Sequence, residues 1–457
     1  MSGAAPDGPT RRRMDTLDHL AGFARNLRFD DLPDAVVRAA GRSVLDCTTA
    51  ALAGSGGTGA AAARGAAMAA FGQDQAASLW FTGRKAPVLA AVLGNCTAAS
   101  ILDLDDGHRA AIGHPGAAII PACLAIAEEQ GSSWQDLITA IVLGYEIAVR
   151  VAAARDAARL DTMSTGRWAS YGVAAATARL RGLDHAAMVQ AMAIAGVHAP
   201  NQSAAGYSKI MGNHVKEGIP WSALTGSMAV SLAQAGLTGP TDILDHADYF
   251  DAGAVLRDLG QSFEIEGTYF KPYSCCRWAH AAIDGLHEVL TAQQIGWQAV
   301  EAVEVHTFER ALRLSNEADP DTLEGAQYSV PFVLGVAATE GVGALLPLTG
   351  ASLQRAPAVS FARRVALMVD PDIDRAFPAR TGARIVIRTA AAEHSRIIRH
   401  PLGDPANPMS RAQLLEKLHI ATRAVMTPSR QAEITAALSD FEAGDYRPLL
   451  GALAKAM

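Results

Sequence analysis

The sequence predicts a mainly helical protein: a large all-helical domain joined to a smaller α+β lid. Three observations carry this. Half of the 457 residues are apolar but only 6% are aromatic, and small-residue runs such as AAAARGAAMAA recur beside 41 glycines. Alanine is the strongest helix former, and small side chains let helices approach closely. The apolar period is helical from Met14 to about Asp251, turns strand-like between about 260 and 400, and is helical again from Ser410 to the end.

The first segment, MSGAAPDGPTRRRM, has arginines but no apolar stretch after them. It reads as a disordered leader over 1–13 rather than a secretory signal. Asp34–Leu52 places Val37, Ala40, Val44, Thr48 and Ala51 on one stripe, with Pro33 at the first helical position. Ser78–Thr82 is a short strand candidate. Helices follow at Val88–Ile101, Pro121–Glu129, Trp134–Ala154, Ser170–Leu180, Ala186–Ala195 and Trp221–Ala235. Alternation then marks strands at 262–270, 300–308, Val365–Val369 and Arg384–Arg388, with helices at His280–Thr291 and Tyr328–Thr339 between them. Length alone suggests about three domains at ~150 residues each. The pattern reduces these to two, a helical domain over 14–258 and 405–457 and a lid over 259–404.

Composition excludes several classes of function. A net charge of −7 argues against a nucleic-acid partner. No apolar run reaches the ~18 residues of a membrane span; the richest stretch is broken by Glu146 and Arg150. The five cysteines, Cys47, Cys96, Cys123, Cys275 and Cys276, have no CxxC spacing, so neither a disulfide framework nor a zinc knuckle is expected and a reducing cytosol is the default.

Three clusters carry possible chemistry. ILDLDDGHRAAIGHPG gathers Asp103, Asp105, Asp106, His108, Arg109 and His114 on a glycine-rich loop, which reads equally as a helix-capping loop or as a site. A metal is not expected there, because no HxH, HxxxE or HExxH spacing is present. GYSKIMGNHVKEGIP brings Tyr207, Lys209, His214, Lys216 and Glu217 to the start of a helix near Pro220, a place that suits anions or simply an exposed turn. KPYSCCRWAH offers Lys271, Tyr273, Arg277 and His280 where strand pattern gives way to helix. Its two thiols have no third partner and read as packing residues. Tyr145 lies among apolar helix residues, next to an i,i+4 pair of Glu146 and Arg150.

In this order the clusters resemble the MmgE/PrpD family, which includes 2-methylcitrate dehydratase, cis-aconitate decarboxylase and iminodisuccinate epimerase. The motifs are Asp103-Leu104-Asp105-Asp106 with His114-Pro115 and Ala127-Glu128, then Gly144-Tyr145-Glu146, LAQAGLTGPTDIL (232–244), Lys271-Pro272-Tyr273 with Cys275, Cys276 and His280, AQYSVPF (326–332) and PLGDPANPMS (401–410). The likeness runs from about residue 15 to 455. Gly107 stands where a hydroxyl is frequent in the family, GRWASYGVAAA (166–176) lacks the family's histidine, and Phe332 stands where some members have tyrosine. The family's lysine matches either Lys216 or Lys209.

The resemblance implies a site in the cleft between helical domain and lid, a homodimer, and no metal or organic cofactor. It implies a lyase of dehydratase type that removes a proton next to a carboxylate of a small di- or tricarboxylate. An isomerase or epimerase would use the same step, and a non-catalytic scaffold retaining the fold is the alternative of another class. An isoprenoid synthase would need a DDxxD ladder, which Gly107-His108-Arg109 interrupts. The implied catalytic residues are Asp103, His114, Lys216, Lys271 and Tyr145. Asp106, His108, Lys209, Arg277 and His280 are expected to bind substrate.

Overall fold

The computed structural model describes residues 15–72, 74–156, 159–160, 164–200, 213–353 and 355–457. The expected leader therefore lies outside the described residues. The fold is mainly helical with a smaller α+β part. The N-terminal helices are α1 (Thr16–Asn26), α2 (Asp34–Gly54), α3 (Thr58–Phe71), α4 (Val88–Ser100), α5 (Gly116–Gln130), α6 (Trp134–Ala153), α7 (Ala169–Leu180), α8 (His185–Val197), α9 (Ile219–Gln234) and the short α10 (Ala252–Leu256).

Small residues explain how these helices pack. α7 lies against α5, α6, α8 and α9. A Cβ at Gly172 would collide with the Gly144 carbonyl of α6, and one at Gly226 would stand 2.6 Å from the Ser170 carbonyl of α7. The alanine-rich composition thus becomes backbone proximity. α5 starts five residues earlier than its apolar pattern suggested. Pro121 sits inside it, where its ring faces the carbonyl of the small Ala117 and fully buried neighbours hold the helix on both sides.

A second core lies under a four-stranded sheet of order β6-β5-β7-β8, with β5 (Val300–Thr307), β6 (Val365–Val369), β7 (Ala383–Thr389) and β8 (Glu393–Ile398). β5 pairs parallel with β6 and antiparallel with β7. Val303, Val305 and Thr307 face inward, after a register shift between Val300 and Ala302. α11 (His280–Ala292) packs on β7 and β8, and α13 (Val330–Glu340) packs on α11 and on α14 (Ala356–Ala362); the short α12 (Leu323–Gln327) precedes α13. β8 carries no apolar alternation because it is a charged, exposed edge strand. After α15 (Pro371–Asp374), the chain ends in α16 (Arg411–Thr422), α17 (Pro428–Glu442) and α18 (Arg447–Ala454). α16 and α17 pack on α2, so these last helices join the first core.

Two short ribbons complete the fold. β1 (Ala77–Leu79) pairs with β2 (Arg84–Ala86), and β3 (Gly107–His108) pairs with β4 (Thr268–Tyr269). The strand expected over 262–270 is corrected to a 3-10 turn, Glu264–Gly267, followed by the two residues of β4. The cause is Glu146: its Oε2 accepts the Glu264 N–H at 2.7 Å and so diverts that backbone from a ladder. Its Oε1 accepts from Arg150 Nε at 2.6 Å, and Arg150 also donates to the Arg257 and Asp258 carbonyls. Both side chains are buried.

Glu146→Ala would leave the Arg150 guanidinium buried without its carboxylate. The expected loss of stability is about 3–5 kcal/mol, measured by urea unfolding. A loss below about 1 kcal/mol, the range of an exposed pair, would show that water replaces the carboxylate.

Candidate functional site

The site begins where α4 ends. Asp103 follows the helix at φ +53°, a left-handed conformation that Asp tolerates better than most residues. This turn aims Leu104 into a small apolar cluster and exposes the loop carbonyls to two buried ammonium groups. Lys271 Nζ donates to the Asp103 carbonyl at 3.0 Å, and Lys417 Nζ donates to the Leu104 carbonyl at 2.9 Å. Gly107 then pairs with Tyr269, whose ring fills the space a Cβ would need. That is why glycine stands at this position.

The three aspartates of the loop have three environments. Asp103 Oδ2 lies 3.0 Å from Lys271 Nζ, and its Oδ1 lies 4.0 Å from Lys216 Nζ and 3.9 Å from His114 Nε2. Burial alone would raise the Asp103 carboxyl, but Lys271, Lys216 and His114 outweigh it and hold it below its ordinary range. Asp105 has no hydrogen-bond donor on either carboxylate oxygen among the described residues. Burial pushes it up to about 6, against the pull of His114 and Lys271. Asp106 faces away from that pair: Oδ1 accepts the Gly116 N–H at 2.9 Å and Oδ2 accepts the Tyr145 hydroxyl at 2.5 Å. It therefore caps α5, and any Cβ at Gly116 would strike this contact.

His114 is oriented from one side. Its Nδ1 lies 2.7 Å from the Asp106 carbonyl and 3.5 Å from Asp105 Oδ2. A carbonyl can only accept, so Nδ1 carries a proton, and Nε2 is the nitrogen left to take up or release one. Nε2 stands 3.9 Å from Asp103 Oδ1 and 3.9 Å from Glu217 Oε1. Glu217 is held in turn by the Thr165 hydroxyl at 2.7 Å. Lys216, at φ +52° just before α9, reaches inward to Gln327 Oε1 at 2.5 Å and over the Tyr328 ring at 4.9 Å. Burial lowers its pKa, with Lys271 adding to the effect against Asp103. Lys271 moves the other way, because Asp103 and Asp105 outweigh its desolvation.

A pocket opens beside these groups, walled by His114, Glu217, Tyr328, Arg109, Arg277 and Tyr269 among others. Arg109 and Arg277 stack on Tyr269 at 5.0 and 4.9 Å and both approach Asp404 Oδ2. Arg277 also donates to the Leu402 and Pro401 carbonyls at 2.7 and 3.0 Å, so it holds the 401–404 loop in place.

The structure thus brings Asp103, His114, Lys216 and Lys271 together; of these His114 lines the pocket, as Arg277 does, and the other three stand behind it. Besides Asp106, which caps α5 and does not line the pocket, three other expected residues have different surroundings. The Tyr145 hydroxyl is directed to Asp106 rather than into the pocket, and Tyr145 does not line it. His108 lines the pocket, but its Nε2 is 3.0 Å from the Glu264 carbonyl and burial lowers its pKa to about 4, so it is a neutral strut. His280 lies beneath, between Arg277 Nη1 and the Cys275 carbonyl at 3.2 Å each. Lys209 lies outside the described residues. Cys276 touches the pocket, but burial pushes its thiol up to about 12, which leaves it protonated at neutral pH. Tyr328, Gln327 and Asp404 were not singled out as site residues, although each lies in a motif, AQYSVPF or PLGDPANPMS.

Asp103, Asp105 and His114 each offer one atom within 4.8 Å of the others, a possible metal ligand set. Lys271 and Lys216 share that space, and their positive charge competes with any cation for the same donors.

Burial pushes the Asp106 carboxyl up to about 7; Tyr145 and the Gly116 N–H oppose this, and Asp46 and Asp105 add to it. An unfolded aspartate titrates near ~3.9. Between the two values the folded chain binds a proton the unfolded chain lacks. That contribution to stability is full below the unfolded value and is lost as pH rises through about 7. Asp106→Asn cannot ionise. Its melting temperature relative to the wild type should therefore rise from about pH 4.5 to about pH 8. A constant difference would show that Asp106 is ionised throughout.

The MmgE/PrpD N-terminal domain matches residues 18–257, and the MmgE/PrpD C-terminal domain matches residues 273–442. A curated relative, a cis-aconitate decarboxylase-like protein of Aspergillus oryzae, is 26% identical over 298 residues, which span 59% of this chain and 60% of the relative. With one family domain over each part of the molecule, and the acidic loop, Lys216 and Lys271 converging between them, the chain belongs to the MmgE/PrpD family.

Proposed function

We propose that the protein is a lyase of dehydratase type acting on a small di- or tricarboxylate, with His114 as the base. One observation carries this reading: His114 lines the pocket with its Nδ1 fixed by the Asp106 carbonyl at 2.7 Å and backed by Asp105 at 3.5 Å, which leaves Nε2 to take the proton. A base held in one tautomer and supported by a carboxylate suits proton abstraction, because the imidazolium it becomes is stabilised.

The cations complete the chemistry. Lys216, together with the wall arginines Arg109 and Arg277, supplies positive charge for substrate carboxylates and for the enolate-like charge that follows proton loss. Lys271 fixes Asp103, and Asp103 stands between His114 and Lys216 at 3.9 and 4.0 Å. His114 takes the proton from carbon, the freed electron pair forms the double bond, and the hydroxyl leaves as water with a proton from Lys216. Burial weakens the ammonium's hold on its proton, which suits it to this role. The relative's name, which speaks of a cis-aconitate decarboxylase-like protein, supports a carboxylate substrate. A cytoplasmic homodimer belongs to the same proposal, and light scattering tests the assembly.

The test is a panel of citrate-like, tartrate-like and amino-dicarboxylate compounds in D₂O with NMR detection. The wild type should place solvent deuterium on a carbon next to a carboxylate and release water, with EDTA leaving the rate unchanged. His114→Gln should slow exchange by about 10²- to 10⁴-fold with an unchanged melting temperature. Exchange without loss of water would shift the assignment to an epimerase. Absence of exchange with every compound would overturn the proposal in favour of a non-catalytic scaffold.

A further inference from the structure

Lys417 lies far from the acidic loop in sequence and contributes nothing to the pocket wall, yet it is among the most deeply buried charged side chains of the molecule. Its Nζ donates to Asp46 Oδ1 of α2 at 2.6 Å and to the Leu104 carbonyl at 2.9 Å. The carbonyl belongs to the peptide between Leu104 and Asp105, so the ammonium from α16 grips the loop between Asp103 and Asp105. Lys271 grips the preceding carbonyl from the other side, at 3.0 Å. Asp46 is fully buried, and its Oδ2 has no hydrogen-bond partner among the described residues.

A buried ammonium and a buried carboxylate are costly to desolvate, and an apolar pair of similar volume would hold α2 and α16 together as well or better. Packing at this place is already supplied by Leu104, Ala50, Leu346 and Ala421. What an apolar pair lacks is a donor for the Leu104 carbonyl. That carbonyl lies next to the left-handed turn at Asp103, where the loop leaves regular structure and no helical N–H can reach it.

We propose that Lys417 and Asp46 are a positioning pair for the acidic loop: Lys417 holds the Leu104 carbonyl, Asp46 holds and aims the Lys417 ammonium, and the C-terminal helices thereby set the placement of Asp103, Asp105 and His114. Any catalytic consequence rests on the function proposed above, but the structural claim does not.

Two measurements separate these. The double variant K417M/D46N removes both charges without leaving either alone. Amide hydrogen exchange should rise about ten-fold or more in peptides spanning 101–116, where His108 N–H bonds the Gly113 carbonyl and Gly116 N–H bonds Asp106. Peptides from α6 should be unchanged. Lys417→Arg, which keeps the charge and donors, should retain most of the loop's protection. If the double variant does not fold, Asp46→Asn alone should raise loop exchange to a smaller extent. Unchanged protection of 101–116 in a folded variant overturns the proposal. The second measurement is turnover of whichever carboxylate the wild type accepts: kcat should fall at least ten-fold with KM within about three-fold. Equal loss through KM would assign the pair to folding alone, whereas a wild type inactive on every carboxylate would overturn the proposed reaction and leave the exchange result standing.

Discussion

The contact between Lys271 and Asp103 organises the molecule. A single ammonium group donates to the main-chain carbonyl of Asp103 and pairs with its carboxylate, at 3.0 Å each, across 168 residues of sequence. Lys271 is fully buried and Asp103 nearly so. Neither charge tolerates that burial without the other, so the segment after β4 and the loop after α4 must meet. Once they do, the β3–β4 ribbon forms beside them, and the residues before α9 complete the enclosure. The cleft between helical and α+β parts is therefore closed by charge, while the cores on either side are closed by apolar packing.

The same buried setting separates three neighbouring aspartates. Asp103 faces two ammonium groups and stays ionised. Asp105 is compensated chiefly by the charges of His114 and Lys271, and Asp106 sits among donors but near other carboxylates, so burial lifts both toward neutrality. Identical side chains within four positions thus acquire distinct protonation behaviour, which is the usual way one site holds both acidic and basic functions. The net charge of −7 says nothing of this. Lys216, Lys271, Arg109 and Arg277 gather locally, against the sign of the whole.

Legibility followed the range of the interaction. Helices with a long apolar period were readable to within a few residues, as at α4, α6 and α7. Where a distant side chain redirected the backbone, the pattern misled. Glu146 drew the Glu264 N–H away from a strand, and buried neighbours let α5 run through Pro121. Asp103, His114, Lys216 and Lys271 were legible because unusual polar residues stand in loops beside apolar helices. Tyr145 was legible as a residue of interest but not in its direction, since its hydroxyl meets Asp106 39 positions away. Tyr328 and Gln327 were legible as members of the motif AQYSVPF but not as partners of Lys216, which donates to Gln327 and lies over the Tyr328 ring.

By itself the sequence determined the helical character, the α+β segment, the family and the short list of groups with chemistry to offer. These depend on local period, composition and motif order, which need no knowledge of contacts. Only the tertiary structure decided which nitrogen of His114 is held by a carbonyl, which aspartate pairs with which lysine, and that Arg277 and His280 lie against backbone carbonyls. Such choices are made by electrostatic and hydrogen-bonding partners that packing brings together, several of them more than 100 residues apart in the chain, as Lys216 and Gln327 are at a separation of 111. Burial makes each of those partners obligatory, and burial is a property of the packed molecule alone.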